Sequence, residues 1–274
     1  MHRPILTALI ATLLPALAVA APPSPSRAVD TMLDALGGRE AFTGLGVVRL
    51  DIREEETAAD GTIRKGAATL YVHSSDLDNL RLEFPPQVVL ASTGRGAWAT
   101  VNGEVDTRPQ SEVMAQKSLN QRTFPTLLPY SLLMEGVDVE AVSEAVLDGT
   151  PAWRLTVDFP EQFFMAPSMQ TDWSAYVDRS SGEFLAAEYL PHSGMQATRD
   201  EGIRYRVLKW EEVDGVRLPA RILLDGIDPM GNPTGHTAVH SVSSTVVGEW
   251  DPSLFLHPDR LKAIEEGDLS GLYE

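Results

Sequence analysis

The chain has 274 residues and not one cysteine. That absence removes thiol nucleophiles, disulfides, zinc-thiolate sites and iron-sulfur clusters together. A small secreted scaffold without disulfides would rarely hold a core, so stability here must come from hydrophobic burial in a larger domain. Basic charge is also scarce: 22 Lys and Arg face 39 Asp and Glu, a formal net charge of −17. Nucleic acid and anionic membrane surfaces both need a basic footprint, so neither is expected as a partner. The acidity reads as solubility, with a cationic partner as the alternative.

Catalytic signatures are missing as well. The chain has no Gly-x-Ser-x-Gly elbow and no His-Glu-x-x-His, and Gly94-Arg95-Gly96 lacks the third glycine and following helix of a dinucleotide loop. His236 and His240 have the i,i+4 spacing that would share a metal on a helix. They fall in an expected strand, where four residues span about 13 Å, too far for two rings to share one ion. His192-Ser193-Gly194 reads as a surface turn, and Glu54-Glu55-Glu56 as a solvated strand end. No metal, cofactor or catalytic residue is therefore expected.

The one extended apolar run lies at the start. Residues 5–19, interrupted by Pro15, follow His2 and Arg3 and lead to Ala18-Val19-Ala20. This is the pattern of a cleavable signal peptide over residues 1–20, and the run is short for a membrane span of ~20 residues. Removing Arg3 with it would take the net charge from −17 to −18. No cysteine stands at the cleavage point for lipid attachment, so the expected location is soluble periplasm. Residues 21–26 form a Pro-Ser tether, and residues 27–274 read as a single β-rich domain.

Val29, Met32, Leu33 and Leu36 recur at helical spacing, with Ser26 as a candidate cap and Gly37-Gly38 as the stop. Strands are expected at 47–57, 63–73, 77–84, 88–92 and 97–101, with Asp60-Gly61 supplying the positive φ of a tight hairpin. In Trp153-Leu155-Val157-Phe159 apolar residues alternate with Arg154, Thr156 and Asp158, the period of a sheet with one dry face. Further turns at Asp148-Gly149, Ser181-Gly182 and Asp214-Gly215 make residues 150–250 a second meander. Between the meanders, Ser111 begins a helix to about Gln121. Residues 124–134, carrying Phe124, Leu127, Leu128, Leu132, Leu133 and Met134 around Pro125 and Pro129, form a broken helical pair. Its apolar side is expected against the dry face of one curved sheet, with Trp153, Leu155 and Val157 pointing inward. A weak final helix runs from Pro258 to Ile264.

Three blocks carry a resemblance: Leu36-Gly37-Gly38-Arg39-Glu40-Ala41-Phe42, Trp173 through Gly182, and Trp210 through Pro219, with a late Asp251-Pro252-Ser253-Leu254-Phe255. Together they resemble the LolA and LolB-like superfamily of periplasmic lipoprotein carriers. The resemblance implies a mainly β (α+β) fold, an antiparallel half-barrel whose concave apolar face is covered by helices and shelters acyl chains or other hydrophobic ligands. The carriers' functional arginine has four candidates by order, Arg49, Arg53, Arg64 and Arg81.

A link richer in large apolar residues than a hairpin needs, Phe163-Phe164-Met165 with Met169, reads either as core packing or as ligand contact. The ligand-contact reading gives a pocket lined by Leu128, Leu132, Met134, Phe163, Phe164, Met165 and Met169. Three functions follow: a carrier or binding protein for a lipid or other hydrophobic ligand, a sensor or interaction module with an envelope protein partner on the same fold, and, third, an envelope enzyme.

Overall fold

A computed structural model describes residues 21–161, 163–165, 173–190 and 202–266. The signal-peptide expectation, His192-Ser193-Gly194 and Met169 lie outside these residues. Alternating runs pair as one antiparallel sheet, with strand order β6-β5-β4-β3-β2-β1-β13-β12-β11-β10-β9-β8-β7. The first meander comprises β1 (Val47–Thr57), β2 (Ile63–His73), β3 (Asp76–Phe84), β4 (Val88–Thr93), β5 (Gly96–Val101) and β6 (Glu104–Val105). The second comprises β7 (Asp138–Leu147), β8 (Thr150–Asp158), β9 (Trp173–Asp178), β10 (Phe184–Tyr189), β11 (Gly202–Val213), β12 (Val216–Ile227) and β13 (Pro233–Gly248). Pairing of the first strand with the last, from Val48 opposite Val246 to Thr57 opposite Thr237, fuses the two meanders.

Strand alternation sets the faces. Leu50, Ile52, Leu70, Val72, Leu80 and Leu82 point inward and are almost completely buried, while Arg49, Asp51 and Arg81 occupy the alternate positions. Leu155 and Val157 are buried on the same inner face, and the half-buried Trp153 packs on that core as the alternation requires. Six helical segments accompany the sheet among the described residues: α1 (Pro25–Asp34), α2 (Arg39–Thr43), α3 (Ser111–Leu127), a 3-10 turn (Tyr130–Leu133), and two C-terminal pieces, α4 (Pro252–Phe255) and α5 (Pro258–Glu265).

The curvature follows from what α3 touches. It packs on β3, β4 and β5 and also on β12. In the strand order β5 and β12 are six spacings apart, ~29 Å in a flat sheet, whereas a helix with its side chains is only ~10–12 Å across. The sheet must curl around α3. It does not close, so β6 and β7 remain as edges.

Local details differ from the sequence reading. Ser24, not Ser26, caps α1 by accepting from the Arg27 amide. The middle helix runs on to Leu127 through Pro125, which sits in its last turn and lacks the amide that would donate four residues back. The break comes at the cis Leu128-Pro129 peptide, and the 3-10 turn follows. Gly37 is more than a helix stop: at φ +110° its missing Cβ would lie 2.3 Å from the Gly215 carbonyl oxygen. Only glycine lets α1 press against the turn between β11 and β12, where the Arg217 amide donates to the Leu36 carbonyl.

Candidate functional site

The interior of the half-barrel is an aromatic cluster built around Phe124 of α3. Its ring centroid lies 4.9 Å from Phe159, 6.4 Å from Phe163, 5.8 Å from Phe164 and 4.9 Å from Trp173, all edge-on. Trp173 then stacks on Phe164 and Tyr205 and tilts against Tyr189. Edge-to-face contact places ring hydrogens on neighbouring π faces, so the cluster gains specific geometry in addition to burial. Burial pushes the Tyr205 phenol well above its ordinary pKa of 10.0, and it is neutral at physiological pH.

Leu128, Leu132, Met134, Phe163 and Phe164 are all buried in this one cluster, and Met165 is half-buried beside it in sequence. They meet by packing on Phe124 and its neighbours. Met134 and Phe163 line an opening, a cavity of about 390 Å³ whose other walls include Asp78, Glu135, Gln116 and Asn120. Phe163 and Phe164 reach the interior from the link after β8, whose described residues, 159–161 and 163–165, form no helix or strand. That link is held by a short polar chain: Gln116 Nε2 donates to Asn120 Oδ1 at 3.0 Å, and Asn120 Nδ2 donates to the Phe163 carbonyl at 3.1 Å. In the adjoining cavity, burial and the neighbouring Glu135 push the Asp78 carboxyl up to about 7.

Two hydroxyls, Thr123 Oγ1 and Ser131 Oγ, are buried without a hydrogen-bond partner among the described residues. Such a group ordinarily costs ~1–3 kcal/mol when it is left unpaired.

Ionisable groups also meet where α3 faces β1 and β13. Arg122 of α3 reaches across to Glu54 at 2.5 Å, and His240 lies 3.7 Å from the same carboxylate. His236 meets Glu56 at 3.0 Å. The two histidines share the inner face as expected from alternation, each beside its own glutamate, and no group of metal-ligating side chains occurs among the described residues. Desolvation lowers the His240 pKa, against the pull of Glu54. Glu54 and Glu56 are thus partnered on the inner face, where the sequence reading had placed a solvated strand end.

None of the four candidate arginines holds α3. Arg49 pairs with Asp51 and Arg81 with Glu83, from positions that alternate with the buried row, and Arg53 and Arg64 form no ion pair among the described residues. Arg122 is the arginine that joins helix to sheet. Its signal in the sequence was a cation two residues before Phe124, one of two on this helix with Lys117, and nothing local pointed it at Glu54.

Two larger openings lie away from the interior. One, about 1240 Å³, runs along Arg49, Arg53, Thr69, Pro85 and Ser243. The other, about 1000 Å³, lies between α5 and the turns that follow β2 and β4.

No protein-family model matches this chain, and no curated protein does. Solved structures do. A LolA superfamily protein from Nitrosomonas europaea superposes with a TM-score of 0.57 at 13% identity, covering 84% of this chain and 97% of its own. A DUF1329 family protein from Desulfovibrio piger gives 0.54 at 13% identity, covering 85% and 98%. A domain provisionally assigned as an outer membrane lipoprotein-sorting protein, from Vibrio parahaemolyticus, gives 0.53 at 9% identity, covering 84% and 96%. The curled antiparallel sheet, its two meanders fused through the first and last strands and its inner face covered by helices, thus shares its fold with a LolA superfamily protein.

Proposed function

We propose that this protein is a non-enzymatic binding protein of the periplasm that shelters an acyl chain or other hydrophobic ligand inside its half-barrel. The observation that carries this reading is the irregular link bearing Phe163 and Phe164. It inserts two phenyl side chains beneath α3 and is tied to that helix by the Asn120 hydrogen bond to the Phe163 carbonyl. Flexible apolar side chains supplied by a link are the natural stand-in for a flexible apolar ligand, because moving the link leaves strands and helices intact. Leu128, Leu132, Met134, Phe163, Phe164, Met165 and Met169 are the proposed contacts, and Thr123 and Ser131 would meet a polar group on the ligand. Likeness to a LolA superfamily protein and to a domain assigned to lipoprotein sorting supports the same class of ligand. Among the described residues no helix is long and apolar enough to cross a membrane.

Replacing Phe164 with Asp and with Ala makes the test. Asp sets a charge against the cluster and should abolish uptake of a fluorescent fatty-acyl probe while the circular dichroism spectrum stays near wild type. Ala vacates apolar volume and should strengthen uptake. A filled interior also favours a second reading, a protein-interaction module recognising an envelope partner through its surface. If neither wild type nor Phe164→Ala binds the probe, and lipid extraction of the purified protein yields nothing, this second reading replaces the first.

A further inference from the structure

The 1000 Å³ cleft at the C-terminal end is built from fixed parts. Phe255 of α4 is fully buried, and its carbonyl accepts from Trp98 Nε1 at 3.0 Å, while the Leu254 carbonyl accepts from Arg81 at 3.1 Å. Trp250 stacks on Phe255 at 5.0 Å with the planes 9° apart, and the His73 ring meets it edge-on at 5.4 Å. Phe255 therefore covers one face of the indole. Trp250 is still 41% exposed, on a chain that buries most of its aromatics.

The polar groups around that indole are mostly donors. His257 Nδ1 accepts from the Asp259 amide at 3.2 Å, which leaves Nε2 to carry the proton. Arg260, half-buried in the cleft wall, and the Trp250 indole nitrogen have no side-chain partner among the described residues. Arg95 adds a second guanidinium. Two carboxylates also line the cleft: Asp76 accepts from Asn79 Nδ2 at 2.6 Å, and Glu112 lies over Gly96, its Oε1 2.6 Å from where a Cβ would stand. On a molecule with net charge −17, an exposed aromatic platform in a cleft lined by two arginines, Arg95 and Arg260, is a local exception.

We infer that this cleft binds an acidic saccharide, one with a pyranose ring stacked on Trp250 and a carboxylate held by Arg260. The C–H hydrogens on a pyranose face are weakly positive and pack on the negative face of an indole. A planar guanidinium meets a carboxylate through two parallel hydrogen bonds, so ring and charge are read together. The cleft lies at the upper end of the usual ligand-pocket range of ~300–1,000 Å³, enough for two or three sugar units. It is separate from the aromatic interior, and the inference does not depend on the acyl-binding reading.

The mature chain should be titrated with trigalacturonic acid and with its uncharged methyl ester, reading tryptophan emission and heat. The acid should bind saturably and shift emission to the blue, and the ester should bind at least tenfold more weakly. Arg260→Gln and Trp250→Ala should each lose at least tenfold in affinity while acyl-probe uptake is unchanged. Trp250→Ala removes a packed ring, so the wall variant Arg260→Gln keeps the test decisive should the former fail to fold. Absence of saturable binding, equal binding of acid and ester, or an Arg260→Gln variant that binds like wild type would each overturn the inference.

Discussion

At the residue scale, the protein places a few polar groups where burial changes their chemistry. Asp78 is the clearest case: it is half-buried beside Glu135, and its carboxyl is raised from 3.8 to about 7. Between those two values the folded state holds a proton that the unfolded chain has released. Stability from this site is therefore full below pH 3.8 and is lost as pH rises through about 7. Asp78→Asn keeps the shape and removes the titration. Urea unfolding at pH 5 and pH 8 should show the variant losing less stability than wild type across that interval, and equal losses would show that Asp78 is ionised throughout. His240 carries the opposite sign, since its lowered pKa removes stability as pH falls below 6.5.

At the scale of elements, α3 is held by two unlike contacts. One is the burial of Phe124 among four aromatic rings, of the kind whose removal to Ala costs ~3–5 kcal/mol. The other is the Arg122–Glu54 pair, whose side chains are 43% and 22% exposed, so solvent screens it and its expected worth is ~0–1 kcal/mol. A double-mutant cycle of Arg122→Ala and Glu54→Ala, read by urea unfolding, should give a coupling within that small range. Amide exchange along α3 should nevertheless quicken in either single variant, because the pair closes the rim over the helix. A coupling of several kcal/mol would mean that the pair, not the aromatic cluster, fixes α3.

These elements also show where the sequence was legible. Limits of β1 and β2 follow from alternation and turn residues, and the observed Val47–Thr57 and Ile63–His73 coincide with the expected spans. Gly37 and Gly38 were readable as a helix stop. That Gly37 must also clear the Gly215 carbonyl was not, because the two turns are 178 positions apart and meet only in the folded chain. For the same reason Arg122 was overlooked: its partner Glu54 is 68 residues away. Phe163 and Phe164 were legible as a large apolar pair, whereas alternation alone gave no sign that they lie beneath α3 with Asn120 on their backbone.

For the whole molecule, an open sheet leaves two edges to protect. β6 is two residues long and offers little to pair with. β7 is ten residues long, and Val146 on it is 70% exposed, so it would be a template for a second chain. Asp138, Glu140 and Glu144 lie along that edge, Glu144 paired with Arg179 at 3.3 Å, and like charges would meet in an antiparallel copy whose register sets Glu140 opposite Glu144. Replacing Glu140 and Glu144 with Thr should therefore promote self-association, measured by sedimentation velocity against wild type. A variant that sediments like the parent would show that repulsion is not what protects β7.

What the sequence determined alone is whatever depends on near neighbours. Period-2 alternation set which residues face the core, Asp-Gly and Gly-Gly pairs set the turns, and missing cysteine and sparse basic charge removed whole classes of chemistry. Tertiary structure decided what depends on distant residues sharing space. Pairing of β1 with β13 joined the meanders, curling around α3 brought Phe124 against Phe159 and Trp173, and the C-terminal segment put Trp250 and Arg260 in the lining of one cleft. Alternation and turn propensity act over a few residues, whereas a site is made by packing, which brings together side chains that no local pattern relates.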